Sequence, residues 1–270
     1  PPMRTIGDSG DPGHVADVSQ VIASELQTLG FNLNFAPVLD VDTNPDNPVI
    51  GDRAFGADSS WVARAGGAFL YGHNAAGVVP CGKHFPGHGD TESDSHKSLP
   101  VLMHGPERLE EVELRPFQAA IGAGLSMIMT AHILMPSFDT VHPATFSPEI
   151  LDGLLRDKLG FEGVVVTDDL EMAAVAERYS VEEMIALGLE TSVDIFLICH
   201  TADKWQRAFE QLVELGTSSE EAAGRIQESA GRIATLKSEF FAHQARPWRP
   251  SDDWRDKLAT KQNARRVESD

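Results

Sequence analysis

The segment 83–96, with the sequence KHFPGHGDTESDSH, concentrates residues that could do chemistry. It directly follows an apolar run, and its histidines, glycines and acidic residues make it too polar to form a protein core. A metal site, a phosphate-binding loop and an acid–base centre can each be built from these residue types. The spacing of the histidines and acids has to distinguish among the three.

A metal site would take its nitrogen and oxygen ligands from His84, His88, Asp94 and His96. The Pro–Gly pair between the first two histidines breaks the helical spacing that zinc-binding helices use, which weakens this interpretation. A phosphate-binding loop needs glycines that open a helix, whereas the next predicted helix starts only at residue 105. The spacing therefore favours neither of these two sites.

An acid–base centre fits the Asp–Ser–His triplet at the end of the segment. A carboxylate at Asp94 can accept a hydrogen bond from one ring nitrogen of His96, fix the tautomer, and leave the other nitrogen for a substrate. The alternative is a local hydrogen bond on the protein surface with no chemical role. The spacing alone leaves both interpretations open.

Two further stretches carry candidate site residues. Asp168 and Asp169 end the run VVVTDDLEM where a helix is predicted to begin, and helix capping accounts for one of the two aspartates but not for both. A carboxylate at the end of a barrel strand is well placed as a nucleophile toward the anomeric carbon of a sugar. Arg53, in NPVIGDRAFG, is either a solvated side chain or one that points into a cleft and binds substrate oxygens.

Buried strands and helices must position these residues. Five continuously apolar runs are typical of parallel strands buried on both faces: 33–41, 77–85, 125–133, 163–169 and 193–200. Helical patterns separate or follow them at 14–30, 59–76, 105–124, 147–160, 201–215 and 218–241. Gly30 is expected to end the first helix, while Ser147, Pro148 and Gly160 are expected to bound the fourth.

Polar side chains follow the predicted strands at their C-terminal ends. The residues are Asp40, Asp42, His84, His132, Asp168 and His200. Alternation of strands and helices predicts an α/β fold with a parallel sheet, either a barrel or an open sheet, and such folds place their sites at this end. We therefore expect one shared polar rim.

Composition narrows the class of partner. A formal net charge of −19 argues against nucleic acid and against anionic lipid surfaces, and favours a neutral or polar small molecule. No apolar stretch approaches the length of a membrane span. Cys81 and Cys199 lie in apolar runs, and we predict two reduced, buried thiols.

The motifs GKHFPGHGDTESDSH, FAPVLDV, NPVIGDRAFG, TAHI and GVVVTDDLEM closely resemble the family 3 glycoside hydrolases of the β-N-acetylglucosaminidase (β-hexosaminidase) type. These single-domain bacterial enzymes trim N-acetylglucosamine from peptidoglycan-derived muropeptides. The resemblance runs over about residues 1–240 in the order of the family. It implies a (β/α)₈ TIM-type barrel, a retaining double-displacement mechanism, no metal or other cofactor, a carbohydrate substrate, and a cytoplasmic role in peptidoglycan recycling.

The resemblance also implies roles for individual residues. Asp168 resembles the nucleophile that forms the glycosyl–enzyme intermediate, and His96 resembles the general acid/base with Asp94 as its dyad partner. Three further residues resemble those that hold the hydroxyl groups of the sugar: Arg53, Lys83 and His84. A histidine acid/base departs from the pair of carboxylates that retaining glycosidases ordinarily use.

Family members begin with three strands that have no counterpart here, the third of which carries an Asp-Gln-Glu-Gly-Gly motif. Residues 1–245 are therefore expected to form the C-terminal portion of such a barrel, with about its last five β/α units, and 246–270 to be a charged tail without assigned structure. We expect the chain alone to self-associate through exposed strand edges and to lack glycosidase activity. Two alternatives stay open, a glycoside phosphorylase at the same site and an inactive sugar-binding relic.

Overall fold

A computed structural model describes residues 1–241, 250 and 252–268. The helices are α1 (Met3–Gly7), α2 (Pro12–Thr28), α3 (Ser59–Ala76), α4 (Pro106–Glu111), α5 (Leu114–Gly122), α6 (Ala173–Ala176), α7 (Val181–Glu190), α8 (Ala202–Ser218), α9 (Glu220–Phe241), α10 (Trp254–Lys257) and α11 (Lys261–Val267). The strands are β1 (Leu33–Asn34), β2 (Val79–Pro80), β3 (Gly82–Phe85), β4 (Met127–Thr130), β5 (Val164–Asp169) and β6 (Ile195–Leu197). Short 3₁₀ helices lie at Gly51–Arg53 and Ala144–Phe146, and a π-helix at Glu149–Lys158.

The strands are parallel and follow chain order in a two-stranded and a four-stranded sheet. β1 pairs with β2, and β3, β4, β5 and β6 are neighbours in that order. A bridge between Val38 and Lys83 continues the pairing of the first run with the second. The five apolar runs are therefore five parallel strand segments, as the sequence predicts, and no pairing among the described residues joins β6 back to β1.

The two faces of the sheet are covered by different helices. Because successive side chains of a strand point to opposite faces, Ile128 and Val165 pack with apolar residues of α5 and the π-helix. The other face forms a second cluster that contains Val79, Cys81, Met127, Met129, Val164 and Val166. Helix α9 packs against this second cluster through Ile233, Leu236 and Phe240. The sheet thus has an apolar layer on each side.

Local sequence explains the ends of α2 and α3. The carboxylate of Asp11 accepts a hydrogen bond from the backbone N–H of Gly13, and that of Asp58 accepts one from Trp61, so both helices begin at an aspartate cap. Helix α3 matches the predicted span 59–76. Gly30, at φ 92°, follows α2 in the left-handed conformation expected of a helix-ending glycine.

Two predicted helices differ from expectation. The span 105–124 is divided into α4 and α5, because Pro116 lacks an N–H and its ring conflicts with the carbonyl of Val112 four residues earlier. The span 147–160 contains a π-helix at Glu149–Lys158, and the Ser147 hydroxyl before it donates to the Glu149 side chain instead of capping the helix. Gly160 ends it at φ 67°, as predicted.

The cysteine prediction is half correct. Both thiols are free, and Cys81 is buried, but Cys199 is exposed. Strand β6 ends at Leu197, so Cys199 lies beyond the strand on the rim and not in the apolar layer. No helix among the described residues is both long and apolar enough to cross a bilayer.

Part of the predicted tail 246–270 is folded against the start of the chain. The side chain of Asn263 donates to Glu25 at 2.7 Å, and Arg266 forms an ion pair with Asp17 at 2.5 Å. Val267 joins the apolar cluster around α2 and α3. Residues 246–249, 251 and 269–270 of this tail lie outside the described residues.

Candidate active site

Asp168 lies at the C-terminal end of β5, half-buried on the polar rim. Its Oδ1 accepts a hydrogen bond from the backbone N–H of Asp169 at 2.8 Å. Burial raises the pKa of the carboxyl, but His84, His132 and Lys83 nearby more than offset it, so the pKa lies below its ordinary value. The carboxylate is therefore held in its ionised form.

His132 follows β4 and is buried next to this carboxylate. Its Nε2 lies 3.1 Å from the carbonyl oxygen of Asp169, which can only accept, so Nε2 carries a proton. Burial lowers the pKa of His132, and its Nδ1 lies 2.7 Å from the hydroxyl of Thr145. Both ring nitrogens are thereby held by protein groups.

Asp40 organises the start of the chemically rich loop. It is fully buried, and its carboxylate accepts from the backbone N–H of His88 at 2.6 Å and from Nδ1 of His84 at 2.7 Å. Burial raises the pKa of Asp40, but the charge and hydrogen bond of His84 more than reverse this, so the pKa is lowered overall. One ionised side chain therefore orients both histidines.

The structure brings Arg53, Lys83 and His84 together. Arg53, in the 3₁₀ helix after the first run, donates from Nη2 to Nε2 of His84 at 3.4 Å. Burial lowers the pKa of Lys83, Arg53 lowers it further, and Asp168 opposes both effects. A cavity of about 300 Å³ reaches the side chains of Arg53 and Lys83 and is lined elsewhere by Pro1–Met3 and by residues 34–38.

Asp94 and His96 form the hydrogen bond that their spacing predicts. Nδ1 and the backbone N–H of His96 both donate to Oδ1 of Asp94, each at 2.9 Å. Slight burial raises the pKa of Asp94, but the hydrogen bonds from His96 lower it below its ordinary value. The side chain of His96 is 63% exposed. Within the described part of the chain its Nε2 has no hydrogen-bond partner, which leaves that nitrogen accessible to a ligand.

The glycines of GHG are explained by close packing. A Cβ atom on Gly89 would lie 1.9 Å from the carbonyl oxygen of Val41, and Gly87 has φ 131°, where other residues are strained. They allow the loop to fold tightly over the end of the first strand segment. The phosphate-binding interpretation is not needed to account for them.

The ring nitrogens of the first two histidines are occupied by protein groups. His84 contacts Asp40 and Arg53, and His88 contacts Thr91 at 2.7 Å and Ser95 at 3.0 Å. No group of three or more potential metal-binding side chains occurs among the residues that the structure describes. The geometry therefore gives no support to the metal interpretation.

The neighbours of Asp168 have structural partners. Asp169 accepts from the backbone N–H groups of Glu171 and Cys199, which closes the turn after β5. The carboxylate of Glu171 accepts from the backbone N–H groups of His200 and Thr201, where α8 begins. Hydrogen bonding to Thr201 is the largest effect that lowers the pKa of Glu171, to about 2. Asp169 also lies 3.4 Å from Nε2 of His200, whereas it is Asp168 whose pKa is lowered by His84, His132 and Lys83.

The sequence does not predict the roles that four residues have in building this site. It indicates Asp40 only by its position after an apolar run, and it offers Ser95 only as the residue between Asp94 and His96. It suggests His88 only as a metal ligand. Thr145 carries no signal at all, because it reaches His132 from a separate loop.

Comparison with known proteins places this geometry in a family. The sequence matches the glycosyl hydrolase family 3 N-terminal domain over residues 1–236. A beta-hexosaminidase A from Pseudoalteromonas piscicida is 37% identical over 245 residues, which are 84% of this chain and 41% of that protein. A solved family 3 beta-N-acetylglucosaminidase from Paenibacillus sp. str. FPU-7 is 41% identical with a TM-score of 0.90, covering 97% of this chain and 50% of that chain.

A beta-glucoside phosphorylase also has a TM-score of 0.90 and covers 98% of this chain and 49% of that one, but at 23% identity this likeness shows the fold alone. The chain spans about half the length of these proteins, 41% of the beta-hexosaminidase A and 50% of the solved beta-N-acetylglucosaminidase. Their structures confirm the predicted α/β fold of TIM-barrel type with a parallel sheet. Since the family match extends over most of the chain, the chain belongs to glycoside hydrolase family 3.

Proposed function

We propose that the protein is a retaining β-N-acetylglucosaminidase that removes terminal N-acetylglucosamine from muropeptide or chitooligosaccharide-like substrates. The observation that carries the proposal is the 2.9 Å pairing of His96 with Asp94 on the rim that also holds Asp168. Relatives named beta-hexosaminidase support the same substrate class. The proposal includes a cytoplasmic role in peptidoglycan recycling, which follows from the family resemblance.

Asp168 is assigned as the nucleophile. An ionised carboxylate is needed to attack the anomeric carbon, and the lowered pKa of Asp168 supplies it over the ordinary pH range. In the first step a carboxylate oxygen bonds to the anomeric carbon, the glycosidic C–O bond breaks, and a proton from His96 passes to the departing oxygen. The product is an ester between the sugar and Asp168.

The second step reverses these roles. Neutral His96 takes a proton from water, the water oxygen bonds to the anomeric carbon, and the ester bond to Asp168 breaks. His96 is then protonated again and ready for the next substrate. Asp94 holds Nδ1 of the ring throughout, which leaves Nε2 for both proton transfers.

Arg53, Lys83 and His84 are assigned to the hydroxyl groups of the sugar. Arg53 and Lys83 line a cavity of about 300 Å³, His84 contacts Arg53, and a guanidinium and an ammonium can each donate several hydrogen bonds. Asp40 fixes the orientation of the His84 ring through its hydrogen bond with Nδ1. Substitution of these residues is expected to weaken substrate binding more than it slows the chemical step.

The test uses the complete protein and an aryl β-N-acetylglucosaminide. Asp168→Asn is expected to lower kcat by several orders of magnitude, and a 2-fluoro-sugar inactivator is expected to label Asp168 in a peptide digest. Asp157→Asn is the control, since that carboxylate is exposed on the outer π-helix. Label on Asp169 or Glu171 would contradict the assignment. Absence of turnover in the unsubstituted protein would favour a sugar-binding relic.

Phosphorolysis is tested by the same assay with inorganic phosphate added. An imidazole acid/base repels an incoming phosphate less than a carboxylate would, so the His96 site is compatible with this reaction as well. If N-acetylglucosamine 1-phosphate appears, the protein is a phosphorylase and the proposed hydrolysis is wrong. Release of free N-acetylglucosamine at the same rate with and without phosphate supports the hydrolase.

A further inference from the structure

The Asp94–His96 pair stands on a largely exposed segment. Within residues 92–99, Ser95 is the one buried residue, and it lies between the two members of the pair. The side chain of His96 is 63% exposed and that of Asp94 is 19% exposed, so His96 has little packing of its own and depends on the segment that carries it. The position of the pair therefore depends on what holds Ser95.

Ser95 is held from two directions. Its hydroxyl lies 3.0 Å from Nε2 of His88, and its carbonyl oxygen accepts a hydrogen bond from the backbone N–H of Ala174 at 3.2 Å. Ala174 belongs to α6, six residues after Asp168. The segment that carries the acid/base pair is thus attached directly to the segment that follows the assigned nucleophile.

His88 is itself firmly anchored. It is 2% exposed, its backbone N–H donates to Asp40, and its Nδ1 lies 2.7 Å from the hydroxyl of Thr91. The side chain of Asn47 donates to the carbonyl oxygens of His88 and Thr91, which ties this turn to the loop that precedes Arg53. Burial lowers the pKa of His88 to about 4, so a neutral ring connects two hydroxyl groups.

From these contacts we propose that His88 and Ser95 are positioning residues that fix the Asp94–His96 pair relative to Asp168. His88 provides the rigid point, Ser95 connects it to the exposed pair, and Ala174 sets the distance to the nucleophile's segment. Misplacement of a catalytic group by about 1 Å can lower a rate about a hundredfold, so such a connection matters for proton transfer. The inference rests on the proposed function of His96.

The first test measures the connection without any activity. Backbone hydrogen exchange is followed by mass spectrometry in the complete protein and in Ser95→Ala, His88→Leu and Ser98→Ala. Loss of one hydrogen bond is expected to accelerate exchange about five- to tenfold in peptides covering 92–99 and Ala174. The Ser98 residue is exposed, and its hydroxyl makes no hydrogen bond to any residue that the structure describes, so Ser98→Ala is the matched control and is expected to keep the original rates.

The second test asks whether the connection serves His96. Ser95→Ala is expected to lower kcat about ten- to a hundredfold on a substrate with a poor leaving group, while an activated aryl glycoside is spared and KM changes little. The loss should be non-additive with His96→Ala, because both substitutions remove the same proton transfer. A purely structural effect of Ser95→Ala would lower kcat equally for both substrates, and its loss would add to that of His96→Ala.

The outcomes separate this inference from the proposed function. Unchanged exchange in Ser95→Ala would overturn the positioning role whether or not the protein cleaves a sugar. Equal losses on both substrates would overturn it as well. An inactive protein with accelerated exchange in Ser95→Ala but not in Ser98→Ala would refute the proposed function of His96 and the catalytic part of the inference, and would leave the attachment itself confirmed.

Discussion

Asp168 and Asp169 are neighbours in sequence but have different surroundings. Asp169 accepts two backbone N–H groups and stabilises a turn, whereas Asp168 faces imidazole and ammonium groups on the rim. The alternation of side chains along β5 produces this difference, since successive residues of a strand point in opposite directions. Helix capping was the competing sequence interpretation, and the structure assigns turn stabilisation to Asp169 alone.

The exposed His96 leads to a prediction about leaving groups. His96→Ala in the complete protein should reduce cleavage of natural glycosides by several orders of magnitude but spare aryl glycosides with acidic leaving groups, which need less protonation at departure. Steady-state kinetics with a series of aryl leaving groups measures this. Ser98→Ala, two residues from His96 and also exposed, serves as the control. A loss of the same size for every leaving group would indicate a structural role for His96.

At the residue scale, the sequence predicts well where the interacting groups are close in the chain. The Asp94–His96 bond followed from two-residue spacing, and the place of Asp168 followed from the end of an apolar run. The contacts of Ser95 with Ala174 and of His132 with Thr145 could not be predicted. They join segments whose relative position depends on the whole sheet. The first contact is made by backbone groups and the second by a hydroxyl, and neither leaves a pattern in the sequence that reveals its partner.

At the element scale, α2 and α3 pack closely because a glycine lies where they cross. A Cβ atom on Gly72 would be 2.4 Å from the carbonyl oxygen of Ala16, which is backbone and cannot move aside. Gly67, in the same helix, has no neighbouring heavy atom within 4 Å of such a Cβ. Substitution at Gly72 therefore reports on helix packing, and substitution at Gly67 reports on helix propensity.

Substitution at these two positions should have opposite effects on stability. Gly72→Ala is expected to lower the free energy of unfolding by about 1–3 kcal/mol through overpacking. Gly67→Ala is expected to raise it by about 0.5–1 kcal/mol, because alanine favours the helix. Urea unfolding of both variants measures the difference. If the Gly72→Ala protein were as stable as the Gly67→Ala protein, α2 and α3 could move apart without a loss in the free energy of unfolding.

His73 connects the same two helices to the first strand and makes stability depend on pH. Its Nε2 accepts from Asn34, its Nδ1 contacts Ser19, and its ring stacks on Phe69. Burial lowers the pKa of His73 from 6.5 to about 4. Between these values the unfolded chain binds a proton that the folded protein does not, so the free energy of unfolding falls as the pH falls.

The expected loss from His73 between pH 7 and pH 5 is about 2 kcal/mol. Urea unfolding at both pH values should show a steeper decline for the unsubstituted protein than for His73→Gln, by about that amount. His88, whose pKa is also lowered to about 4, contributes in the same window in both proteins and cancels in the comparison. Identical declines in the two proteins would mean that His73 takes up its proton in the folded state near its ordinary pKa.

The sequence predicts elements best where capping and periodicity agree. Helix α3 follows directly after Asp58, and its predicted span is correct. The sequence predicts one helix over 105–124 although Pro116 is a signal for a break, because the apolar pattern continues across the boundary between α4 and α5. The π-helix at Glu149–Lys158 could not be predicted, since its periodicity over ten residues hardly differs from that of an α-helix.

At the scale of the whole molecule, the sheet has an unpaired edge at each end. Among the described strands β1 and β6 each have one neighbour. Beside β6, Trp205, Phe209 and Val213 of α8 are 56%, 63% and 49% exposed and form an apolar patch, here named the α8 patch. Unpaired edges and exposed apolar groups of this size favour association with another polypeptide.

We expect residues 1–270, expressed alone, to self-associate through these surfaces. Trp205→Glu combined with Phe209→Lys should shift sedimentation toward the monomer, because charges in the α8 patch would be buried on association. Tyr71→Glu, which replaces an exposed aromatic residue on α3, is the control and should not shift it. A chain that is monomeric before substitution, at concentrations where folded oligomers are readily measured, would contradict the prediction.

The docking of α11 on α2 has a consequence for the order in which the protein folds during synthesis. Its hydrogen bonds join residues 234 to 249 positions apart, from Ala259 with Glu25 to Arg266 with Asp17. A ribosome releases α2, α3 and every strand before α11 exists, so the outer face of α2 stays uncovered while the sheet assembles. Any factor that binds nascent chains can reach this face until residues 259–267 have been synthesised, and α11 then competes with that factor for the same surface of α2.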